Sequence, residues 1–186
     1  MRLPLWRLTT ARRKLFEALG SDAYSRPAYG EIDRKLDRYF QDRGVSRGFF
    51  VEAGAVDGVF ESNTYFLERW RGWHGLLVEP VPEMYQRLNV NRRARAVNCA
   101  LVSSKSRETT VRITSAHALS TIVGVQGHDT GHADTAGAAI TVPARTLGSI
   151  LDEIGNPRVD LLSLDVEGFE LQVLQGLDFQ IGRAHV

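Results

Sequence analysis

The stretch Gly48-Phe-Phe-Val-Glu-Ala-Gly-Ala-Val-Asp-Gly58 decides how this chain can fold. Its first part, residues 49–53, is a short apolar run, and Gly54 follows it at once. A short apolar run bounded by glycine is typical of a strand buried on both faces. Glycine directly after a strand permits a tight turn and also lets a ligand approach the backbone. Either the turn alone or a ligand site explains Gly54.

Further apolar runs alternate with helical patterns towards the C-terminus. We predict strands at 75–79, 94–101, 109–114, 140–144 and 159–165, and helices at 61–69, 82–90, 146–154 and 169–177. This alternation favours an α/β fold with a parallel sheet and helices on both of its faces. Ligands bind such sheets at the carboxyl ends of the strands, so residues that follow strands are the candidate site.

Composition limits the kind of protein. The 186 residues are 43% hydrophobic and 24% charged, which is ordinary for one globular domain. No apolar run reaches the roughly 18 residues that a membrane-spanning helix needs. The single cysteine, Cys99, excludes an internal disulfide and a multi-cysteine zinc site. We therefore expect a reducing, cytoplasmic location.

The N-terminal segment, residues 1–47, is a basic, arginine-rich lead-in to the domain. Arg7, Arg12 and Arg13 interrupt its apolar residues, which argues against a secretion signal. We predict helices over 9–19 and 29–41, and the first either packs on the domain or touches a membrane surface. The basic residues are not interleaved with aromatic ones, so we expect no nucleic-acid partner.

The second strand ends at Glu79-Pro80, 25 residues after Gly54. An acidic side chain at this place in an α/β sheet accepts hydrogen bonds from ribose hydroxyls. The alternative is an acidic residue that favours a helix N-terminus through the helix dipole. The dinucleotide fingerprint would need glycine at 56 and 59, where this chain has valine. That substitution counts against a nucleotide-binding oxidoreductase.

A third strand end carries Asp165, Glu167 and Glu170. A carboxylate at a strand mouth can act as a general base or hold a metal. The alternative is a helix N-terminus rich in acidic residues, and we assign Glu170 to that role.

Several sequence blocks in fixed order resemble the FkbM family of methyltransferases. The blocks are Phe50-Val-Glu-Ala-Gly-Ala-Val-Asp-Gly58, Ser62-Asn-Thr64, Gly75-Leu-Leu-Val-Glu-Pro80, Leu164-Asp-Val-Glu-Gly168 and Leu174-Gln-Gly176. The similarity runs from about residue 49 to 179. It implies a class I, Rossmann-like fold that uses S-adenosylmethionine and methylates oxygen, often on sugar or polyketide-derived hydroxyls.

The resemblance also implies roles for individual residues. The implied cofactor-binding residues are Glu52, Gly54, Ala55, Asp57, Gly58, Asn63, Thr64, Glu79, Pro80, Asn98, Ala100 and Asp165. Glu79 would hold the ribose hydroxyls, and Asn98 to Ala100 would lie near adenine. Ser62 would help to line the pocket, and Leu119-Ser120-Thr121 resembles a family motif near the acceptor. Many members have Lys or Arg and Ile where this chain has Ser163 and Leu164.

Methyl transfer to an alcohol needs an aligned acceptor and a base for its proton. We name Glu167 and Asp165 as candidate catalytic bases, and nothing in the spacing demands a metal. The expected partner is a small-molecule or glycan acceptor. A non-catalytic interaction module with the same fold is the alternative, and the oligomeric state stays open.

Two further segments carry predictions. His128 and His132 lie in a glycine-rich stretch, which favours a loop, a candidate lid over the acceptor, over a metal site. The end of the chain, 181–186, resembles a translated sequencing adapter. We therefore expect a methyltransferase domain over 48–180 that lacks its C-terminal strands, followed by a non-native tail.

Overall fold

The computed structural model describes residues 5–116, 119–122 and 139–177 of the chain. The helices are α1 (Leu5–Ala18), α2 (Ile32–Asp42), α3 (Tyr65–Arg71), α4 (Pro82–Asn91), α5 (Leu147–Glu153) and α6 (Glu170–Leu174). The strands are β1 (Phe49–Ala53), β2 (His74–Val78), β3 (Arg95–Val97), β4 (Ala100–Leu101), β5 (Thr110–Ala116), β6 (Leu119–Ile122), β7 (Ala139–Arg145) and β8 (Leu161–Leu164). The predicted loop with His128 and His132 and the predicted tail at 181–186 lie outside the described residues.

Four parallel strands form the central sheet in the order β3-β2-β1-β8. This order is that of one half of a doubly wound sheet with an added neighbour on β1. The inner strands are apolar because both of their faces are covered. Successive residues of β1 point to opposite faces, so Val51 packs with Leu147 and Ile150 of α5, and Phe50 packs with Leu67 of α3. The predicted Rossmann-like α/β fold is confirmed.

A second sheet, in the order β4-β7-β5-β6, lies beyond the end of β3. β4 and β7 are parallel, whereas β7, β5 and β6 are antiparallel neighbours. The prediction of one strand over 94–101 is therefore wrong. The Asn98 amide nitrogen donates to the carbonyl oxygens of Glu79 (2.8 Å) and Pro80 (3.0 Å). These bonds hold the chain at the break, and Ala100 then pairs with β7 instead of continuing beside β2.

Helix α3 begins at Tyr65, four residues later than predicted. The Ser62 hydroxyl accepts a hydrogen bond from the backbone nitrogen of Tyr65 (3.1 Å), and Glu52 accepts one from Asn63 (2.8 Å). Side chains thus satisfy N–H groups at the helix start. Glu61 has a φ of 52°, which no α-helix contains. Residues 61–64 therefore have irregular structure rather than forming a helical turn.

The N-terminal helix α1 packs against α3 through one acidic side chain. Glu17 accepts hydrogen bonds from the hydroxyls of Tyr65 (2.8 Å) and Ser25 (2.8 Å), and it lies 3.5 Å from Arg69. The predicted second helix is a short 3₁₀ turn, Tyr29–Glu31, followed by α2. Within the part of the chain that the structure describes, no helix is long and apolar enough to cross a membrane.

Candidate functional site

A cavity of about 340 Å³ lies at the carboxyl ends of β1, β2 and β8. Its wall combines residues from these strand ends with residues from the second sheet. The lining residues are Glu52, Ala53, Gly54, Ala55, Val56, Phe60, Glu61, Ser62, Asn63, Val78, Glu79, Pro80, Val81, Met84, Cys99, Ala100, Leu101, Ile113, Ser163, Asp165, Val166, Glu167 and Phe169. Its volume lies within the range of small-molecule sites, and its place is where α/β sheets bind ligands.

Gly54 turns the chain at the end of β1 with a φ of 80°. A Cβ atom at this position would overlap the carbonyl oxygen of Asp165 on the neighbouring strand connection. The backbone nitrogen of Asp165 also donates to the carbonyl of Ala53 (3.1 Å). The Asp165 carbonyl, rather than a ligand, therefore makes the close approach that glycine permits at position 54. Gly54 nevertheless also lines the cavity.

Glu79 occupies the cavity wall at the end of β2 and is 4% exposed. Its carboxylate accepts hydrogen bonds from the backbone nitrogens of Val56 (2.8 Å) and Val81 (2.8 Å). Burial raises the pKa of Glu79 to about 7, although the two hydrogen bonds act to lower it. Each oxygen keeps a further lone pair, so the carboxylate can still accept bonds from a ligand.

Glu52 also lines the cavity, and both oxygens of its carboxylate accept hydrogen bonds from protein groups. It accepts hydrogen bonds from Ser62 (2.8 Å) and Thr64 (2.6 Å), and the Arg92 guanidinium lies 3.4 Å away. The Arg92 side chain is 1% exposed and also pairs with Glu68 at 2.9 Å. No sequence pattern pointed to Arg92, because its partners lie 24 to 40 residues away along the chain.

Four of the predicted cofactor-binding residues do not line the cavity. Asp57 accepts hydrogen bonds from the backbone of the residues that follow it, and Gly58 packs closely against Leu88 and Arg92. Thr64 is buried against Glu52, and Asn98 holds the end of β3. These four residues lie outside the cavity and support the residues that line it. The other eight predicted residues, Glu52, Gly54, Ala55, Asn63, Glu79, Pro80, Ala100 and Asp165, line the cavity itself.

Asp165 and Glu167 lie on the segment that follows β8, and both line the cavity. Asp165 is exposed, and Glu167 has a φ of 54°, a conformation that costs a non-glycine residue about 1–2 kcal/mol. Glu170 instead accepts hydrogen bonds from the backbone of Val166 (3.1 Å) and Gly168 (3.3 Å). Burial acts to raise the pKa of Glu170, but the hydrogen bonds from the backbone outweigh it and lower the pKa. The helix-terminal role predicted for Glu170 agrees with these contacts.

The wall also contains a hydrogen bond between two polar side chains and a buried thiol. The Asn63 amide nitrogen donates to the Ser163 hydroxyl (3.0 Å), which joins the segment after β1 to β8. Cys99 is buried in the wall, and burial raises the pKa of its thiol to about 11. The predicted acceptor motif at 119–121 lies in β6, whose side chains are outside the described part.

Among the described residues, no group of three or more His, Cys, Asp or Glu side chains could hold a metal ion. The cavity combines carboxylates and apolar side chains at the ends of parallel strands. Fold and site together define a Rossmann-like α/β domain with a cavity at the carboxyl ends of its parallel strands.

The chain belongs to the FkbM family of methyltransferase domains. The family described as Methyltransferase FkbM domain matches residues 52–186. The chain is also similar to Methyltransferase sdnD of Sordaria araneosa, with 30% identity over 161 residues that cover 72% of this chain. The match spans 61% of that relative's length. No solved structure matches the chain significantly.

Proposed function

We propose that the chain carries the cofactor site of an S-adenosylmethionine-dependent O-methyltransferase. The observation that carries the proposal is the buried Glu79 carboxylate, which lines the cavity at the end of β2 and accepts a hydrogen bond from Val56 in the turn that follows Gly54. Family membership supports the reaction class. The lone thiol Cys99 fits a reducing compartment, so we place the reaction in the cytoplasm.

The donor set of the cavity fits this cofactor. Glu79 offers a carboxylate to two neighbouring ribose hydroxyls, as acidic residues at this place in α/β sheets do. Val81, Leu101 and Ile113 supply apolar surface of the kind that a purine ring needs. The carboxylates of Asp165 and Glu167, which line the cavity after β8, suit a positively charged sulfur. When bound, S-adenosylmethionine supplies a methyl group on a sulfonium that takes back the electron pair of the breaking carbon–sulfur bond.

Asp165 and Glu167 are the proposed proton acceptors. The acceptor hydroxyl loses its proton to one of these carboxylates as its oxygen bonds to the methyl carbon. Asn63 and Ser163 fix the wall beside them, so the acceptor can be held in line with the methyl donor. The acceptor is a hydroxyl on a sugar or another small molecule.

Calorimetric binding of S-adenosylmethionine and its demethylated product tests the proposal. The chain should bind both, and Glu79→Ala should lose at least tenfold in affinity because the ribose hydroxyls lose their acceptor. Glu83→Ala on α4 is the matched control, since Glu83 is exposed and does not line the cavity. Circular dichroism should show that both variants remain folded.

Two results would contradict the proposal. Folded wild-type chain that binds neither compound would favour a non-catalytic interaction module. Equal affinity in Glu79→Ala and Glu83→Ala would mean that any bound cofactor does not use Glu79.

A further inference from the structure

The exposed hydrophobic side chains of the described residues are concentrated in one part of the chain. Nine large hydrophobic side chains are exposed in the described ranges, and six of them lie between residues 15 and 39. The six are Leu15, Leu19, Tyr24, Tyr29, Ile32 and Tyr39. The first two helices and the segment between them therefore expose aliphatic and tyrosine side chains, as interaction surfaces do.

Helix α2 carries two of these side chains on one face. Ile32 and Tyr39 are seven residues apart, which puts them on the same side of an α-helix, and both are exposed. The inward side holds Phe40, which packs with Leu67 and with Trp73 at 4.6 Å between ring centroids. The helix is thus anchored to the domain by its inward side, and Ile32 and Tyr39 are left at the surface.

Two acidic residues of α2 are turned inward, which makes its outward side basic. Asp33 and Asp37 are buried, and Asp37 pairs with Arg26 at 2.9 Å and with Arg71 at 2.6 Å. The exposed charged side chains of residues 31–43 are four cations and two carboxylates, namely Arg34, Lys35, Arg38, Arg43, Glu31 and Asp42. If Asp33 and Asp37 also faced outward, these charges would cancel. Their burial therefore gives this surface its positive sign.

Cations beside aliphatic and tyrosine side chains fit an anionic bilayer. Acidic head groups attract Lys and Arg, tyrosine rings favour the head-group level, and aliphatic side chains enter the acyl boundary. Nucleic acid fits this surface less well, because bases stack on aromatic faces and the Arg43 guanidinium covers one face of the Tyr39 ring at 3.7 Å. Ile32 offers no ring on which a base could stack.

We propose that the outward side of α2 docks the protein on an anionic phospholipid surface. The docking surface consists of Tyr29, Ile32, Lys35, Arg38, Tyr39 and Arg43. It borders the cavity, since Ala28, the residue before Tyr29, forms a β-bridge with Glu61 of the cavity wall. The inference goes beyond the proposed function and does not depend on it, because no residue of the docking surface lines the cavity.

Co-sedimentation with lipid vesicles tests the docking. Vesicles of phosphatidylcholine alone are compared with vesicles that contain about 30% phosphatidylglycerol. The full chain should bind the anionic vesicles at least about tenfold more tightly than the neutral ones at about 0.1 M NaCl. This preference should fall below about threefold at about 0.5 M NaCl, because salt screens exposed charges.

Charge variants assign the binding to α2. Lys35→Gln combined with Arg38→Gln should weaken binding to anionic vesicles at least about tenfold, since each cation near such a surface contributes about fivefold. Lys105→Gln combined with Arg107→Gln removes two exposed cations from the loop before β5 and is the matched control. This control pair should change the affinity less than about twofold.

Apolar variants test the second component of the surface. Ile32→Ser combined with Tyr39→Ser should weaken vesicle binding at least about fivefold at both salt concentrations, because salt does not screen the burial of apolar surface. Val90→Ser combined with Leu171→Ser is the matched control, since both side chains are exposed and lie on other helices. Circular dichroism should show that all four double variants remain folded, and their cofactor affinity should equal that of the wild type.

Several outcomes overturn the inference. They are equal binding to neutral and anionic vesicles, binding to neither, and equal losses in an α2 pair and its control pair. Tighter binding to a DNA duplex than to anionic vesicles would assign the surface to nucleic acid instead. A dimer in sedimentation velocity that Ile32→Ser with Tyr39→Ser dissociates would assign it to a second copy of the chain. The proposed cofactor site is measured separately and would stand in each of these cases.

Discussion

Replacing Arg92 with methionine should lower the free energy of unfolding by about 3–5 kcal/mol. The guanidinium is 1% exposed and pairs with Glu68 at 2.9 Å and with Glu52 at 3.4 Å. It also donates to the Gly58 carbonyl (2.9 Å) and the Thr64 hydroxyl (2.8 Å). Methionine fills part of the volume but removes the cation from the buried Glu52 carboxylate and from the largely buried Glu68 carboxylate. For a chain of this size the melting temperature should fall by roughly 6–20 °C.

Urea denaturation measures this loss directly, since a lower midpoint at unchanged slope reports a change in stability. Arg87→Met, on the helix that ends just before Arg92, is the matched control. Arg87 pairs with Glu83 at 2.6 Å, but both side chains are more than half exposed. An exposed pair contributes at most about 1 kcal/mol, so this variant should differ little from wild type.

A double-mutant cycle with Glu52→Gln separates the charge interaction from packing. Because the amide carries no charge, Arg92→Met should cost at least 1 kcal/mol less in the Glu52→Gln background. The reasoning is refuted if Arg92→Met and Arg87→Met are equally stable, or if the two substitutions at 92 and 52 are strictly additive.

Three other perturbations give distinct results. Gly54→Ala should lower the free energy of unfolding by more than about 2 kcal/mol and abolish cofactor binding, because its Cβ would overlap the Asp165 carbonyl. Gly155→Ala is the control, since Gly155 has a similar φ but open space around it, and in thermal melts it should cost only about 1 kcal/mol. Cofactor affinity measured by calorimetry should rise with pH through about 7, because hydroxyl donors favour ionised Glu79, and the rise should disappear in Glu79→Gln. Asp37, whose carboxyl is desolvated yet has its pKa lowered to about 2 by Arg71 and Arg26, stabilises the fold at neutral pH. Because its folded pKa is depressed, that stability should be lost between about pH 4 and 2, and Asp37→Asn should reduce the acid dependence of the urea midpoint.

The central sheet was predictable because its strands are short apolar runs with glycine or acidic residues at their ends. The Gly54 turn and the Glu79 strand end are local signals, and the cavity lies where they predict. The break at Asn98 was not predictable, since it depends on hydrogen bonds to Glu79 and Pro80, which lie far along the chain. Periodicity carries no information about such contacts.

The candidate site was likewise predictable from the sequence only in part. The family motifs led to the lining residues Glu79 and Asp165, which follow strands directly. They did not separate these from Asp57 and Thr64, whose side chains hold the wall from outside the cavity. Arg92 was missed because a buried arginine has the same sequence appearance as an exposed one. The catalytic roles of Asp165 and Glu167 and the domain limits remain predictions.

The buried thiol of Cys99 makes the cavity chemically addressable. Cys99 is the single cysteine of the sequence, and its side chain belongs to the cavity wall. With a pKa of about 11, roughly one molecule in ten thousand carries the reactive thiolate at pH 7. Alkylating reagents should therefore modify the intact protein slowly. A molecule bound in the cavity should slow the labelling of Cys99 further. The labelling rate would therefore report ligand binding without an engineered probe.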